Sequence, residues 1–428
     1  GDVNTTYRCV AASHHSTDSF HQGCSFSPDG LCILSNTDDV LRLYNTPQPS
    51  LRGDDASPDT PAVMTAALSI KGGETVRSYA WYPYMDSSNP ASCCFLATSR
   101  DQPVHLYDAY TGAIRATYCP YNIKDEMESP MVVAFRPDGQ TLVCGGFRTE
   151  RCLHVFDTNT PGKEGTLLRL GKTRRSKDGQ KGHVSSLAFS SATNVLAVGT
   201  YAPGSIYLYD ARTGMGEAGV LLNGVCVAGH GGSHGRKKRR FADLVDEMDD
   251  ENLFSAAKAG WFHTRTRGGV TQVQFSPSDD HRLFSTSRRS NAILEWDVRM
   301  VSDMHATRPV GGVKSYATCN DTNQRLEFDF DETGGRLFVG GKDKCVRVYE
   351  PSSGKLLRVV DQLPDVPNGV SCNPSRCGEF LAVACGSRQF PTELDYDDHD
   401  VNAEIHPKGW SLRLFQGRKM TPTTAGVT

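Results

Sequence analysis

The chain has 428 residues, 22% of them charged and 38% hydrophobic, and a formal net charge of −3. No run reaches the roughly 18 apolar residues of a membrane span, so no transmembrane segment is expected. Nucleic-acid binding, if present, has to come from local patches because the bulk charge is slightly acidic. The opening "GDVNTTYRCV" lacks the charged and apolar regions of a secretory signal. The fourteen cysteines include no CxxC pair, and several sit inside apolar runs. That usage fits buried thiols in a reducing compartment, so the cell interior is expected.

In chain order, "TYRCVAA" near the start reads as an isolated strand. The segment Gly23 to Asn45, "GCSFSPDGLCILSNTDDVLRLYN", then alternates apolar and polar residues in three runs separated by Pro-Asp-Gly and Thr-Asp-Asp. Period-two alternation predicts half-buried strands, and the breaks supply turn chemistry. The first strand and its turn recur as "SYAWYPYMD", "VVAFRPDG", "SSLAFSSAT", "QVQFSPSDD", "EFDFDETG" and "GVSCNPS". The second recurs from "CCFLATS" to "FLAVAC", and the third from "VHLYDAYTG" to "SLRLFQ". Phe26, Trp81, Phe135, Phe189, Phe275, Phe330 and Cys372 mark seven copies at a period of roughly 40 to 55 residues, with one long gap.

A repeat of this size with four strands per unit predicts an all-β, seven-bladed β-propeller spanning 1–428 as one domain. Tyr107-Asp108, Phe156-Asp157, Tyr209-Asp210, Trp296-Asp297 and Gly182-His183 are degenerate WD-repeat signatures. "AIRATYC" and "LLRVVD" read as outer strands, and "TYRCVAA" as the N-terminal strand that closes the last blade. Two charged insertions interrupt the period: 229–267 in the connection between blades 4 and 5, and an acidic one at 391–409 within blade 7.

Catalytic patterns are missing: no GxSxG elbow, HExxH, Walker loop or EF-hand run occurs. "GHGGSHG" lacks the strand and helix of a phosphate loop and reads as linker. His14-His15 has no partner at metal-ligand spacing and reads as a solvated pair. Asp329 and Asp331 share one face of a strand, but Asp331 falls where a turn belongs, which is the better account of it. The expectation is a protein that is not an enzyme and carries no cofactor or metal.

The loops between second and third strands read, in order, "NTDD", "SRDQP", "GFRTER", "TYAPG", "SRRSN", "GKDK" and "GSRQF". Five of the seven carry cations: Arg100; Arg148 with Arg151; Arg288 and Arg289; Lys342 and Lys344; and Arg388. Solvated loop tips carry such residues anyway, whereas recurrence at an equivalent position speaks for a basic face, and both readings stand. Phe147, Tyr201 and Phe390 in the same loops offer stacking faces. Arginines beside aromatics suit single-stranded or looped RNA, whose bases stack and whose phosphates pair with Arg. The block Arg236, Lys237, Lys238, Arg239 and Arg240 reads as a nuclear localisation signal, or as an RNA contact, ahead of an acidic stretch that could neutralise it. Phe241, Leu244, Val245 and Met248 then have the spacing of a short amphipathic helix.

"FHQGCSFSPDGLCILSNTDDVLRLYN", "YDAYTGAIRATYCPYNIKDE", "TNQRLEFDFDETGGRLFVGG" and "PNGVSCNPSRCGEFLAVACGSRQFP" resemble the telomerase Cajal body protein family of WD-repeat proteins. The resemblance spans about Phe20 to Pro391 and continues weakly through "WSLRLFQ". It implies a non-catalytic RNA-binding scaffold of nuclear ribonucleoproteins, acting in the nucleus and its Cajal bodies. The implied partners are H/ACA-type small Cajal body RNA and telomerase RNA, read through their CAB box, with H/ACA ribonucleoprotein and telomerase components. A chaperonin for folding is implied as well, and a monomer with no membrane contact is expected. The competing expectation is a protein–protein interaction propeller, for example in spliceosomal particle assembly, since fold alone does not set function.

Overall fold

The computed structural model describes residues 5–14, 20–47, 61–170, 179–201, 204–211, 225–228, 268–300, 312–361, 363–376, 379–387 and 410–419. Among them the regular structure is strand, arranged in seven sheets that are antiparallel but for one short pair, with two single-turn 3-10 segments at Val298–Met300 and Pro374–Arg376. The two charged insertions, including the basic block 236–240 and the expected helix after it, lie outside the described residues.

Each sheet is one blade. Blade 1 comprises His21–Phe26, Cys32–Thr37, Val40–Asn45 and Leu68–Lys71; blade 2 comprises Val76–Trp81, Cys94–Ser99, Val104–Asp108 and Ile114–Tyr118. Blades 3 to 6 begin with the inner strands Val132–Phe135, Val184–Phe189, Val270–Phe275 and Phe328–Phe330 and repeat the order. Blade 7 joins Pro367–Cys372, Phe380–Cys385 and Ser411–Lys419 to Thr5–His14. The seven-bladed propeller and its N-terminal closing strand are thus as the repeat predicts. Thr5–His14 pairs antiparallel with Ser411–Lys419 from Thr5↔Lys419 to His14↔Ser411. One strand was not legible in the repeat: Ala62–Val63 adds in parallel to Thr5–His14 as a fifth strand.

Burial follows the alternation. Second strands are covered on both faces by the neighbouring blades, and Cys94–Ser99 and Phe380–Cys385 are buried throughout. Aromatic side chains fill the spaces between blades; Trp296, Tyr44, Tyr118 and Phe95 are fully buried. The aspartates of the aromatic-Asp pairs cap the turn that follows: Asp108 accepts the backbone N–H of Tyr110 and Thr111, each at 2.8 Å. The Pro-Asp-Gly turn of blade 1 needs its glycine. Gly30 has φ +73°, and a Cβ there would lie 2.3 Å from Asn373 of blade 7. Twelve of the described cysteines are free thiols, seven of them buried.

Inner strands do not share a backbone ladder between blades; side chains tie them around the axis. Trp81 Nε1 donates to the Ser25 carbonyl at 3.3 Å and Ser185 Oγ to that of Val270 at 2.6 Å. Gln272 Nε2 donates to the Phe328 carbonyl at 2.7 Å, and the Phe26 N–H donates to Ser371 Oγ at 3.1 Å. Asp329 belongs to this set. It accepts Gln274 Nε2 at 3.0 Å from blade 5 and the Cys372 N–H at 2.9 Å from blade 7. Asp331 instead accepts the Arg336 N–H at 3.0 Å across the turn. The turn reading therefore holds for Asp331, and the two carboxylates do not act as a pair.

Candidate nucleic-acid interface

The loops between second and third strands emerge at the same end of the propeller as the connectors that lead into each inner strand. Repeated backbone bonds clip the two together. The N–H of Arg100 donates to Thr75, that of Tyr201 to His183 and that of Arg288 to Gly269, each at 2.9 Å. Arg100, Tyr201 and Arg288 therefore hold equivalent positions, the first residue after the second strand. In blade 6, Lys342 N–H reaches the Cys319 carbonyl at 2.6 Å.

The loop cations differ in what holds them. Arg100 is exposed, with Nε 3.4 Å from Asp101. Arg148 is exposed, and Arg151, half-buried, donates from Nη1 to the Gln180 carbonyl at 3.2 Å. Arg288 sits over the Tyr201 ring, its guanidinium carbon 4.5 Å from the centroid. Arg289 Nε donates to Asn323 Oδ1 at 3.1 Å. Lys342 Nζ reaches the Asp321 carbonyl at 3.3 Å and Lys344 Nζ that of Pro364 at 3.2 Å. Arg289 and Lys344 both have positive φ, +54° and +61°, so each sits at the tight corner of its loop. Arg388 and Phe390 lie outside the described residues.

Phe147 corrects the sequence reading. It is 3% exposed and packs edge to face against His154, with centroids 4.9 Å apart. Its ring joins the apolar cluster between blades 2 and 3, so it offers no face to a base. Gly145-Gly146 explains the turn inward: a Cβ on Gly146 would stand 2.4 Å from the Val184 carbonyl, so the chain runs tight against blade 4 there. Tyr201 keeps a partly exposed ring, but one face of it is already covered by Arg288.

Side chains that the loop pattern missed converge at the axis. A cavity of about 770 Å³ opens there, lined among others by Phe20, Arg77, Tyr79, Arg288, Arg325 and Glu327. Arg77 Nη1 donates to Ser129 Oγ at 3.1 Å, and burial lowers its guanidinium's pKa. Arg325 Nε is 3.2 Å from Glu327 Oε1. Burial pushes the Glu327 carboxyl up, against the opposing pull of Arg325. Phe20 stands beside Trp410, centroids 6.0 Å apart. The signal for these residues was available: the polar side of each inner strand's alternation, and the last connector residues before it. Among the described residues no three His, Cys, Asp or Glu side chains are grouped to hold a metal ion.

No protein-family model matches the chain. Telomerase Cajal body protein 1 of Homo sapiens is 32% identical over 389 residues, 89% of this chain and 59% of that protein. Its counterpart in Mesocricetus auratus is 32% identical over 417 residues, 93% of this chain and 65% of that protein. The chain is thus similar to the telomerase Cajal body proteins over about nine-tenths of its length. It spans about three-fifths of their length. Guanine nucleotide-binding protein negative regulator 1 of Schizosaccharomyces pombe is 28% identical over 412 residues, 94% of this chain and 89% of that protein. The strings that resemble the telomerase Cajal body proteins now have places in the fold. "TNQRLEFDF" runs from a connector into the inner strand of blade 6 and supplies Arg325, Glu327 and Asp329 to the axis. "NGVSC" ties blade 7 to blade 1, where Asn368 Nδ2 donates to the His21 carbonyl at 2.8 Å. "YNIKDE" is the connector between blades 2 and 3, its turn held by Asn122 Oδ1 accepting the Lys124 N–H at 2.9 Å.

Proposed function

We propose that this chain is a non-catalytic scaffold that holds a looped RNA on the connector face of its propeller. The observation that carries the reading is the recurrence of cations in the loops after the second strands of blades 2, 3, 5 and 6 of a net acidic chain, with Arg100, Arg288 and Lys342 each the first residue of its loop. The contacts are Arg100, Arg148, Arg151, Arg288, Arg289, Lys342 and Lys344, with Arg388 in the corresponding loop of blade 7. Tyr201 serves by holding Arg288 in place, since a guanidinium plane is itself a stacking surface for a base.

The relatives' name points to telomerase and the Cajal body; in this reading the RNA is of the telomerase and small Cajal body H/ACA class, its CAB box is the element read, and the nucleus and its Cajal bodies are the place. Partners are then the H/ACA and telomerase ribonucleoprotein components. The basic block 236–240 serves nuclear import. The chain acts as a monomer, without a cofactor.

The test is the salt dependence of binding to a CAB-box hairpin. Arg100→Ala, Arg148→Ala and Lys342→Ala together remove three exposed cations while leaving every strand in place. Each lost phosphate contact should flatten the log–log salt slope by roughly 0.7 on a single strand, about 2 in all. Wild-type affinity and slope in the triple variant would remove this rim as the RNA site. A second reading is a propeller that docks a protein, favoured by the near-equal length of the Schizosaccharomyces pombe relative. Under it the wild-type chain shows no salt-sensitive retention on RNA at all.

A further inference from the structure

The axial cavity differs in kind from the rim around it. Most of its amide side chains are consumed by ties between blades: Gln272 bonds the Phe328 backbone in both directions, at 2.7 and 3.0 Å, and Asn368 Nδ2 bonds the His21 and Gly386 carbonyls. What remains turned to the space is a different set. Arg77, Arg288 and Arg325 line it together, against Glu327 and Asp329 as the only carboxylates among its lining residues. Asp329 is saturated by Gln274, Phe330 and Cys372. Glu327 engages Arg325 through Oε1.

Arg288 is the informative member. Arg288 lines the cavity and its guanidinium also contacts Tyr201, which is not among the lining residues. Arg288 is thus held by an aromatic ring at the edge of the cavity. Its buried Nε has no hydrogen-bond partner. Phe20 brings an aromatic ring to the same lining. A flat π-surface, cations for a phosphate and a carboxylate oxygen for an N–H edge are the three contacts a single nucleotide requires. The volume of about 770 Å³ lies in the range of small-molecule sites and exceeds what a single base and its phosphate need.

We propose that the axial cavity is a subsite for one unstacked nucleotide of the RNA loop, its base laid on the Arg288 plane and its phosphate met by Arg77. Glu327, oriented by Arg325, accepts from the base's N–H edge. This rests on the reading of the rim as an RNA site, and the rim supplies the affinity that draws the loop over the cavity mouth.

The experiment uses the full chain and a CAB-box hairpin carrying a fluorescent purine analogue at one loop position at a time. With wild-type protein, one position should become shielded from a soluble quencher while its neighbours stay accessible. Arg325→Ala with Glu327→Ala removes the buried pair together, so that neither charge is left alone. It should abolish that shielding and weaken binding about ten- to a hundredfold, leaving the rim's salt slope unchanged. Should that double variant fail to fold, Tyr201→Leu and Arg77→Ala ask the same question of the platform and of the phosphate contact. Equal quenching at every loop position, with the salt slope intact, overturns the subsite and leaves the rim standing. Wild-type protein that binds no RNA at low salt overturns both.

Discussion

Phe147 and His154 show how much one side chain's direction decides. His154 is 6% exposed between Phe147 and Phe156, and this burial pushes its imidazole's pKa down to about 4. The folded chain therefore holds a neutral histidine where the unfolded chain binds a proton below about pH 6.5. Stability is complete above that value and is lost as pH falls toward 4. The loss should be on the order of 3 kcal/mol at full protonation of the unfolded state. Thermal melting across this range should fall more steeply in wild type than in His154→Leu; parallel curves would show that the ring is not the group responsible. The loop pattern "GFRTER" could not tell that Phe147 turns inward. Side-chain direction there is set by the close approach of Gly146 to the Val184 carbonyl, a contact between blades that no single repeat contains. Arg77 and Arg325 were missed for the opposite reason. Arg77's polar alternation is what any half-solvated strand shows, Arg325 sits in a connector just before one, and only ring closure makes that face an enclosed cavity.

Strands and turns were legible because alternation and turn residues are local, and seven repeats of a weak signal reinforce one another. The closing strand followed from arithmetic, since the last blade was short of one strand and the chain began with a spare. Ala62–Val63 was not legible: a two-residue strand carries no period, and its parallel pairing depends on Thr5–His14 being in place. The pair is fastened by the Met64 N–H donating to the Ala12 carbonyl at 2.8 Å, with the Met64 side chain buried between blades 7 and 1. Deleting residues 1–14 strips Ser411–Lys419 of its outer partner and Ala62–Val63 of its only one among the described residues. An open edge on a ring blade invites association. The shortened chain should melt lower or partition into aggregates in sedimentation. A soluble product with an unchanged melting temperature would mean that another segment closes the blade.

For the molecule as a whole, side-chain bonds around the axis join blades that are far apart in sequence, and the Phe26 N–H bond to Ser371 Oγ spans 345 residues. Non-local contacts of this kind slow folding, because loop-closure entropy is spent before the contact forms. Refolding from denaturant should take seconds or longer and lose material to aggregation, with chaperonin raising the yield. Complete recovery within milliseconds would contradict a ring that closes last.

The seam in blade 7 also fixes an order of events during protein synthesis. Thr5–His14 leaves the ribosome before any other described strand, yet the strand it pairs with, Ser411–Lys419, is among the last described residues to be made. Domains that complete their cores early can fold as they emerge. This one must carry an unmatched strand through the translation of six blades. A message cut short anywhere before blade 7 therefore yields a chain with cations in its loops but no closed rim to hold them. On the proposed function, binding competence is then expected only of chains translated through the closing seam, while every incomplete copy keeps an open sheet edge.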